Sequence, residues 1–523
     1  MRTSETPILI VGGGTAGTML TLELARRGVQ ARTVDRLPGP QPTSRAITVH
    51  ARTLEILERV DQRLVNRYLE HGIHNKGYVL HFVDANGRRS EVRPGLDFTT
   101  IDCRYPYILV HGQNDTENYI RDYMREELGR EIEWNTQCIA VRQEADGVTA
   151  TLLHADGEEE QVRCRYLVAC DGINSRVRRE LGLAQQASEY TGTYLQNLDG
   201  YLHGFPDAED YLHYCAGTDH FIMVVKLPRG FYRLLLSDRG EAADPNVRPE
   251  DAFMRLVDKH FDGVKLGDVV WHSKWQSYVR LADQYRAGNV FLAGDSAHVH
   301  STTGGQGMNC CLQDGYNLGW KLALVVQGHA GEEILDSYEA ERKPIAEQVI
   351  WAASSLHEIF MGHGKDIGER AQRMNDRAFH DAVVGRCSGI SYTYRDYVPK
   401  PSGVAAVPGP EVGDRAPDAA LPGGRSVFAL TRHTGFTLLA LPGTGGGMED
   451  AERVLARVRD RYSPLVTAHA VERSPDLDRY YGVGDEPRLF LVRPDGYVGY
   501  RCGASQGERL EAYLAAMLTG VRP

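Results

Sequence analysis

Two stretches of the sequence combine glycine, a carboxylate and a helix start in a way that suits a large polar ligand. The first is PILIVGGGTAG, residues 7–17. Gly12-x-Gly14-x-x-Gly17 follows a short apolar run and precedes TMLTLELARRG, which has helical spacing. In such a loop the first glycine permits a tight turn and the second lets a phosphate approach the backbone. The third lets helix and strand pack closely, and the helix N-terminus then faces the phosphate. Asp35 closes the following strand, VQARTVDR, near the spacing expected of a carboxylate on an adenosine ribose. These residues point to a dinucleotide and, alone, leave NAD and FAD both open.

The second stretch is NVFLAGDSAHVHSTTGGQGMN, residues 289–309. An apolar strand ends at Gly294-Asp295, where a carboxylate can accept from a sugar-alcohol hydroxyl. Gly304-Gly305-Gln306-Gly307-Met308-Asn309 then offers backbone N–H groups at the start of a helical pattern. A helix N-terminus carries partial positive charge, which suits the anionic ring of a reduced flavin. His298 and His300 have the residue type of a proton relay, although loop histidines bonded to backbone are commoner. Cys310 and Cys311 open the helix, where buried packing is expected rather than a tuned thiolate or a covalent link.

The elements that position these residues can be read from periodicity. Residues 7–35 form a strand–helix–strand unit. YVLHFVDANGRRSEV, residues 78–92, reads as a hairpin turning at Asn86-Gly87. A second hairpin over 147–172 ends in YLVACDG, an apolar strand closed by Asp171-Gly172. Residues 190–280 alternate and are rich in aromatics, as in a mostly antiparallel sheet. A long helical region follows, to about residue 385. Residues 398–426 are a linker or extended wrap rich in Pro and Gly, and residues 427–518 carry a small α/β pattern.

Composition bounds the function. A net charge of −11 on 523 residues lacks the basic excess of a nucleic-acid partner. No run of about 18 apolar residues predicts a membrane span. The N-terminus moves straight into a strand, so no secretory leader is expected. Nine scattered cysteines without a CxxC pair read as reduced thiols of a cytoplasmic protein, with no metal site expected.

Four motifs together carry a resemblance: GGGTAG, SRAITVHARTLEIL, YLVACDGINSRVRRELG and FLAGDSAHVHSTTGGQGMN. Over roughly residues 7–350 the chain resembles the single-component FAD-dependent aromatic hydroxylases (class A flavoprotein monooxygenases) with the para-hydroxybenzoate hydroxylase fold. Its C-terminal region resembles the thioredoxin-like domain of phenol hydroxylases and aromatic polyketide hydroxylases. Where that domain would hold CxxC, this chain has LPGTGGGM, so a structural or oligomerisation role is expected and a homodimer is left open. The resemblance implies an α/β fold: a Rossmann-like FAD-binding domain, an inserted, mostly antiparallel substrate sheet and a thioredoxin-like domain. The expected divisions are 1–180 (FAD-binding, with a substrate-domain hairpin near 76–110) and 181–280 (substrate-binding). They continue with 281–397 (FAD-binding, second part, and helical region), 398–426 (linker) and 427–523 (thioredoxin-like).

The resemblance also implies FAD as cofactor, NAD(P)H and O2 as co-substrates, and a phenolic or polycyclic aromatic substrate. Hydroxylation would proceed through oxygen added at flavin C4a. A Baeyer–Villiger oxidation or a non-catalytic flavin-binding protein are the alternatives on the same fold. Residue by residue, Gly12, Gly14, Thr15, Ala16 and Gly17 are expected at the pyrophosphate and Asp35 at the ribose. Arg36 is expected at the adenosine end, Arg45 close to the cofactor and Gln113 at the ribityl or phosphate region. Asp171 and Gly172 match a motif tied to FAD and pyridine nucleotide, or else form a strand-end turn. Gly294 and Asp295 are expected at the ribityl chain, and Gly307, Met308 and Asn309 at the isoalloxazine ring. Many relatives have two prolines after the loop histidine, whereas Ser301 and Thr302 here restore N–H groups and add hydroxyls. A base that deprotonates a phenol would assist. The candidates in the substrate sheet are Tyr232, His213 and His220, with His203 also present.

Overall fold

The apolar run of residues 7–11 makes the buried end of strand Arg2–Val11, whose preceding half lies at the surface. Runs of this kind belong in a parallel sheet covered on both faces. The strand pairs in parallel with Ala31–Val34 on one side and Glu159–Ala169 on the other, and Glu159–Ala169 pairs in parallel with Val290–Leu292. The computed structural model that gives this topology describes residues 2–519 apart from 207–209, 239–245, 363–365, 400–402 and 404–405. The sheet orders Arg286–Ala287, Val290–Leu292, Glu159–Ala169, Arg2–Val11 and Ala31–Val34, with Gly147–Leu153 and Gln137–Glu144 joined antiparallel. Helix Thr15–Arg26 packs closely against helix Gly307–Val326. A Cβ on Gly315 would stand 2.6 Å from the Ala16 carbonyl, and one on Gly319 2.6 Å from the Glu23 Cβ. Small residues thus set the two glycine loops, one at each helix start, side by side.

A second sheet orders His298–Val299, Lys265–Ala282, Gln185–His203, Tyr232–Asp238, Phe221–Lys226, Tyr211–Ala216, Gly77–Val83 and Arg89–Asp97. Its pairings are antiparallel except Tyr211–Ala216 with Gly77–Val83. Alternation gives it two faces. Tyr78, Leu80, Leu195, Tyr214, Met223 and Leu235 form a core with helices Asp336–Met361 and Arg377–Ser388. Leu198, Cys215, Val224, Tyr232 and Leu234 instead pack with helix Pro249–His260. The short strand His298–Val299 ties this sheet to the chain segment just after Asp295.

The C-terminal sheet orders Val466–Ala470, Phe436–Leu441, Arg488–Val492 and Val498–Gly503. It shares a core with helices Glu449–Tyr462 and Gly507–Met517. Cys502 is its one cysteine, so it has no dithiol. Of the Pro- and Gly-rich stretch 398–426, residues 400–402 and 404–405 lie outside the described residues. Farther along, Gly413 N–H donates to the Val498 carbonyl and Ala416 N–H to that of Gly496. The turn between Arg488–Val492 and Val498–Gly503 plugs into the rest of the chain. Arg493 makes a two-pronged pair with Glu341 at 2.7 and 2.8 Å, and Arg52 donates to the Asp495 carbonyl at 2.7 Å. Trp320 Nε1 donates to the Asp495 carboxylate at 3.3 Å. Arg415–Glu55, Arg432–Glu58 and Arg104–Asp418 pairs surround this plug. Among the described residues, no helix is long and apolar enough to cross a membrane.

Beneath helix Pro249–His260, His81 Nε2 lies 2.9 Å from His213 Nδ1, and His220 Nε2 lies 2.9 Å from His260 Nε2. Burial, reinforced by the neighbouring imidazole, lowers His81 to about 4 and His260 to about 3. An unfolded imidazole takes up its proton near pH 6.5. Between that pH and about 4 the unfolded chain therefore binds more protons than the folded one, and stability falls as pH falls. The melting temperature is expected to drop across this window, and to drop less steeply in His260→Gln, which cannot protonate. A series of thermal melts from pH 7 to 4 on both proteins checks this; equal slopes would show that the paired histidines do not carry the effect.

Candidate cofactor site

The first glycine loop is shaped by contacts that a side chain would break. Gly12 has a φ of +109°, and a Cβ there would stand 2.2 Å from the Cys170 carbonyl oxygen. A Cβ on Gly17 would meet the Gly12 carbonyl at 1.9 Å. Gly14 differs: nothing lies within 4 Å of where its Cβ would be. The loop is therefore tight on its protein side and open at Gly14. The helix it starts has no acidic residue in its first turn and no side-chain cap. Its leading N–H groups are left available to an anion.

A clasp closes over the loop from helix Gln113–Leu128. Gln113 Nε2 donates to Glu117 at 2.9 Å and to Thr15 Oγ1 at 3.3 Å, while Thr15 Oγ1 donates to Glu117 at 2.6 Å. Gln113 Oε1 accepts from Ala46 N at 3.3 Å, and Gln113 N donates to Ser44 Oγ at 2.6 Å. Arg121 reaches both Glu117 and the Gly13 carbonyl. Gln113 is thus brought to the glycine loop and to the segment holding Arg45. Glu117 and Arg121 escaped sequence reasoning, although successive spacings of four from Gln113 to Glu117 and from Glu117 to Arg121 put all three on one helix face.

Asp35 accepts from Gly13 N at 2.7 Å and from Leu37 N at 2.9 Å, which places it at the mouth of the same loop. Arg36 is exposed beside it. Asp171 caps the short helix Arg176–Glu180 through one oxygen, accepting from Arg176 N at 2.7 Å. Its other oxygen is buried without a partner. Gly172 follows with a φ of +80°.

The second stretch converges on the first. Gly294 has a φ of +62°, and a Cβ there would come 2.9 Å from the Ala16 Cβ and 3.0 Å from Cys311 Sγ. The Asp295 side chain is exposed, yet the protein crowds its carboxylate: desolvation raises its pKa, offset first by His298 and then by the Cys311 thiol and Arg45. Cys311 Sγ donates to it at 3.4 Å, and burial keeps that thiol protonated. Gly305 has a φ of +63° and presses on Thr48. Asn309 fixes the loop: its Nδ2 donates to the carbonyls of Thr48 and Gly305, each at 2.9 Å, and its Oδ1 accepts from His50 N at 2.9 Å. Helix Gly307–Val326 has no acidic residue in its first turn and no side-chain cap. Two uncapped helix starts and an exposed carboxylate fit a dinucleotide with a sugar-alcohol chain, as FAD has.

Around this loop, Ser301 is fully buried, with its hydroxyl 3.1 Å from both Thr303 Oγ1 and His357 Nδ1. Its hydroxyl is thus engaged by helix Asp336–Met361, while Thr302 is exposed. His300 Nδ1 faces the Ser301 carbonyl at 3.0 Å, and burial lowers its pKa to about 4. His50 is buried against Phe98, with ring centroids 5.6 Å apart.

The candidate bases fall elsewhere. Tyr232, His213 and His220 lie on the side of the second sheet packed by helix Pro249–His260 and its flanking residues. Phe205 meets the rings of His213 and Tyr232, and His220 pairs with His260. His203 is exposed. Strand alternation puts Tyr214, Met223 and Leu235 on the opposite face instead. That face shares its core with Cys387, whose Sγ would be 3.4 Å from a Gly304 Cβ, and hence borders the glycine loop. The structure therefore does not bring Tyr232, His213 and His220 to the loop. On the loop side the polar residues include Asn197, Ser237 and a buried Arg233–Asp199 pair. Arg233 also holds the carbonyls of Ser44 at 2.7 Å and Arg45 at 3.1 Å.

Comparison with known proteins bears on this arrangement. Residues 5–353 match the family model described as FAD binding domain, and residues 409–520 the one described as aromatic-ring hydroxylase, C-terminal. The chain is 37% identical to the pentachlorophenol 4-monooxygenase of Sphingobium chlorophenolicum, over 99% of this chain and 97% of that protein. The structure of OxyS, the anhydrotetracycline hydroxylase of Streptomyces rimosus, is similar with a TM-score of 0.77 and 28% identity, over 99% of this chain and 100% of that one. That of aklavinone-11 hydroxylase, in a ternary complex with FAD and aklavinone, has a TM-score of 0.77 and 26% identity, over 99% of both chains.

The glycines give a test that separates folding from binding. Gly14→Ala adds a methyl into open space, so the apoprotein should melt as the wild type does while its affinity for FAD falls by roughly tenfold or more, about 1.4 kcal/mol per tenfold. Gly17→Ala strikes backbone and should lower the melting temperature of the apoprotein itself. Thermal melts of both apoproteins, with FAD titrations followed by flavin fluorescence, check the contrast; unimpaired FAD binding by Gly14→Ala would place the cofactor elsewhere.

Proposed function

This chain belongs to the single-component FAD-dependent aromatic hydroxylases, which are monooxygenases, and from that premise we propose that it hydroxylates a phenolic or polycyclic aromatic compound at the expense of NAD(P)H and O2. The observation that carries the proposal is the convergence of Gly294-Asp295 and the Gly304–Asn309 loop on the Gly12–Gly17 loop. Bound there, FAD supplies electron transfer from a nicotinamide and activation of O2 for attack on an aromatic ring.

We assign the chain's own residues as follows. Gly12, Gly14, Thr15, Ala16 and Gly17 hold the pyrophosphate at a helix start, with Gln113 and Glu117 fixing the Thr15 hydroxyl. Asp35 accepts from the adenosine ribose, with Arg36 beside it, and Asp171 and Gly172 border the loop from the neighbouring strand end. Asp295 accepts from a ribityl hydroxyl. The N–H groups of Gly307, Met308 and Asn309 present partial positive charge to the ring. Arg45, held by its carbonyl to Arg233, lies near enough to influence Asp295.

On the loop side of the second sheet, Leu195, Tyr214, Met223, Leu235 and Trp275 belong to an apolar core, and we assign the aromatic substrate to that side of the sheet. Asn197 and the Ser237 hydroxyl, which has no protein partner, are polar groups there able to orient an aromatic hydroxyl. They replace Tyr232, His213 and His220 as the residues to test first. The domain division at 180, 280, 397 and 426 is proposed on the same grounds, with Gly77–Val83 and Arg89–Asp97 added to the substrate sheet. A cytoplasmic location is supported by nine cysteines of which none is in a disulfide.

The deciding experiment supplies the FAD-loaded enzyme with NADH or NADPH, a panel of phenols and fused-ring aromatics, and 18O2. The expected outcome is nicotinamide oxidation stimulated by substrate, with one labelled oxygen on the product ring. Ring expansion to a lactone would instead assign a Baeyer–Villiger reaction, and nicotinamide oxidation that no aromatic stimulates would count against this substrate class. Asp295→Ala should abolish FAD retention on a desalting column while the fold, read by circular dichroism, persists.

A further inference from the structure

Behind the Asp295 turn lies a buried charge cluster that cofactor contact does not require. Asp314 has no exposed surface. One of its oxygens accepts from Gly294 N at 3.0 Å and from His298 Nε2 at 2.7 Å, and the other accepts from Arg342 Nε at 2.8 Å. Arg342 comes from helix Asp336–Met361. Its Nη1 donates to the Tyr394 hydroxyl at 3.3 Å, and its Nη2 lies 3.6 Å from Cys310 Sγ. His298 Nε2 is 3.7 Å from the same sulfur. His298, Cys310 and Asp314 have the residue types of a metal site. The Arg342 guanidinium, however, already supplies the cation between the sulfur and the carboxylate.

The charge state of the cluster follows from what surrounds His298. Asp314 and Cys310 face it from helix Gly307–Val326, and Asp295 precedes it by one turn of chain. The rings of Tyr285 and His300 stand 6.2 and 6.5 Å away, and Arg342 lies beyond Asp314. Burial opposes protonation of His298, but Cys310 and Asp314 outweigh it, so its pKa is held well above the ordinary histidine value. His300, with no carboxylate partner, is neutral. His298 and Arg342 are thus the cations of the cluster, set against the Asp314 carboxylate and the Cys310 sulfur.

We propose that His298 is a positioning residue of the flavin site: with Arg342 it offsets the negative charge buried behind the Asp295 turn, which holds Asp295 in place as an anion and favours the reduced, negatively charged flavin over the oxidised one. The inference rests on the assignment of Asp295 to the ribityl chain. Asp314 is the mechanical part, since it grips the Gly294 N–H on which the turn depends. His298 and Arg342 are the electrostatic part, since a positive charge in a low-dielectric site acts strongly on an anion formed nearby.

The test reads the midpoint potential of bound FAD in the holoenzyme by spectroelectrochemical titration. His298→Gln preserves a hydrogen-bond donor toward Asp314 and removes the charge, so the potential should shift to lower values. His300→Gln alters the neighbouring neutral imidazole and should leave the potential where the wild type has it. An unshifted potential in His298→Gln, or an equal shift in His300→Gln, overturns the proposal. Should His298→Gln fail to retain FAD, the pair Arg342→Lys and Arg342→Gln decides. The lysine should stay near the wild-type potential and the glutamine fall below it, and equal potentials in the two overturn the proposal. Asp295→Asn, titrated with FAD in parallel, isolates the premise: wild-type affinity there would refute the Asp295 assignment without reference to His298.

Discussion

A carboxylate with no exposed surface must be met by opposite charge and hydrogen bonds, because its desolvation costs several kcal/mol. Asp314 is met by Arg342, His298 and the Gly294 N–H. One group thereby joins helix Gly307–Val326, helix Asp336–Met361 and the turn presenting Asp295. The residue before Arg342 makes the complementary tie. Glu341 turns toward Arg493 and toward Lys321, whose pKa burial lowers to about 8 despite the pair. Two adjacent residues of one helix therefore fasten the flavin-side turn and the C-terminal plug. Removing one member of such a pair leaves an uncompensated charge, a loss of about 3–5 kcal/mol. The C-terminal domain, lacking a dithiol, has a structural role in this contact.

The same economy governs the two helix starts. Neither helix Thr15–Arg26 nor helix Gly307–Val326 has an acidic residue in its first turn or a side-chain cap. A helix in isolation would lose stability by leaving those N–H groups unsatisfied. Here the cost is tolerated because neighbours fix the approach instead: Gln113 and Glu117 at the first start, and Asn309 with strand Thr48–Val49 at the second. The donors that would have satisfied the helix from within are kept for an anion.

What could be read from the sequence divides along the same line. The Gly12–Gly17 loop, Asp35, the Gly294-Asp295 turn and Asn309 were legible because each acts within a local pattern of strand end, glycine and helix start. The order of elements was legible for the same reason, and the α/β fold followed from it. Tyr232, His213 and His220 show the limit. Alternation reveals that a strand has two faces, but which one meets the loop is set by helix Pro249–His260, itself remote from the strand Tyr211–Ala216 in sequence. Arg233 on Ser44 and Arg342 on Asp314 left no local trace, since each contact joins residues far apart in the chain.

On the proposed assignment, the loop-side face of the second sheet would constrain selection among aromatic compounds. A buried charged pair there, Arg233 with Asp199, is internally neutralised, and Arg233 is also occupied in holding the Ser44 and Arg45 carbonyls. Trp271 covers the guanidinium, 5.2 Å from ring centroid to Cζ. Among the polar groups beside it are Asn197 and Ser237. An apolar wall distinguishes compounds differing by a methylene by only about 1–3 kcal/mol, whereas a buried polar group left unpaired discriminates far more strongly. Shape would then set the size of ring system admitted, and the position of its oxygen substituents relative to Asn197 and Ser237 would set which member of that class is turned over.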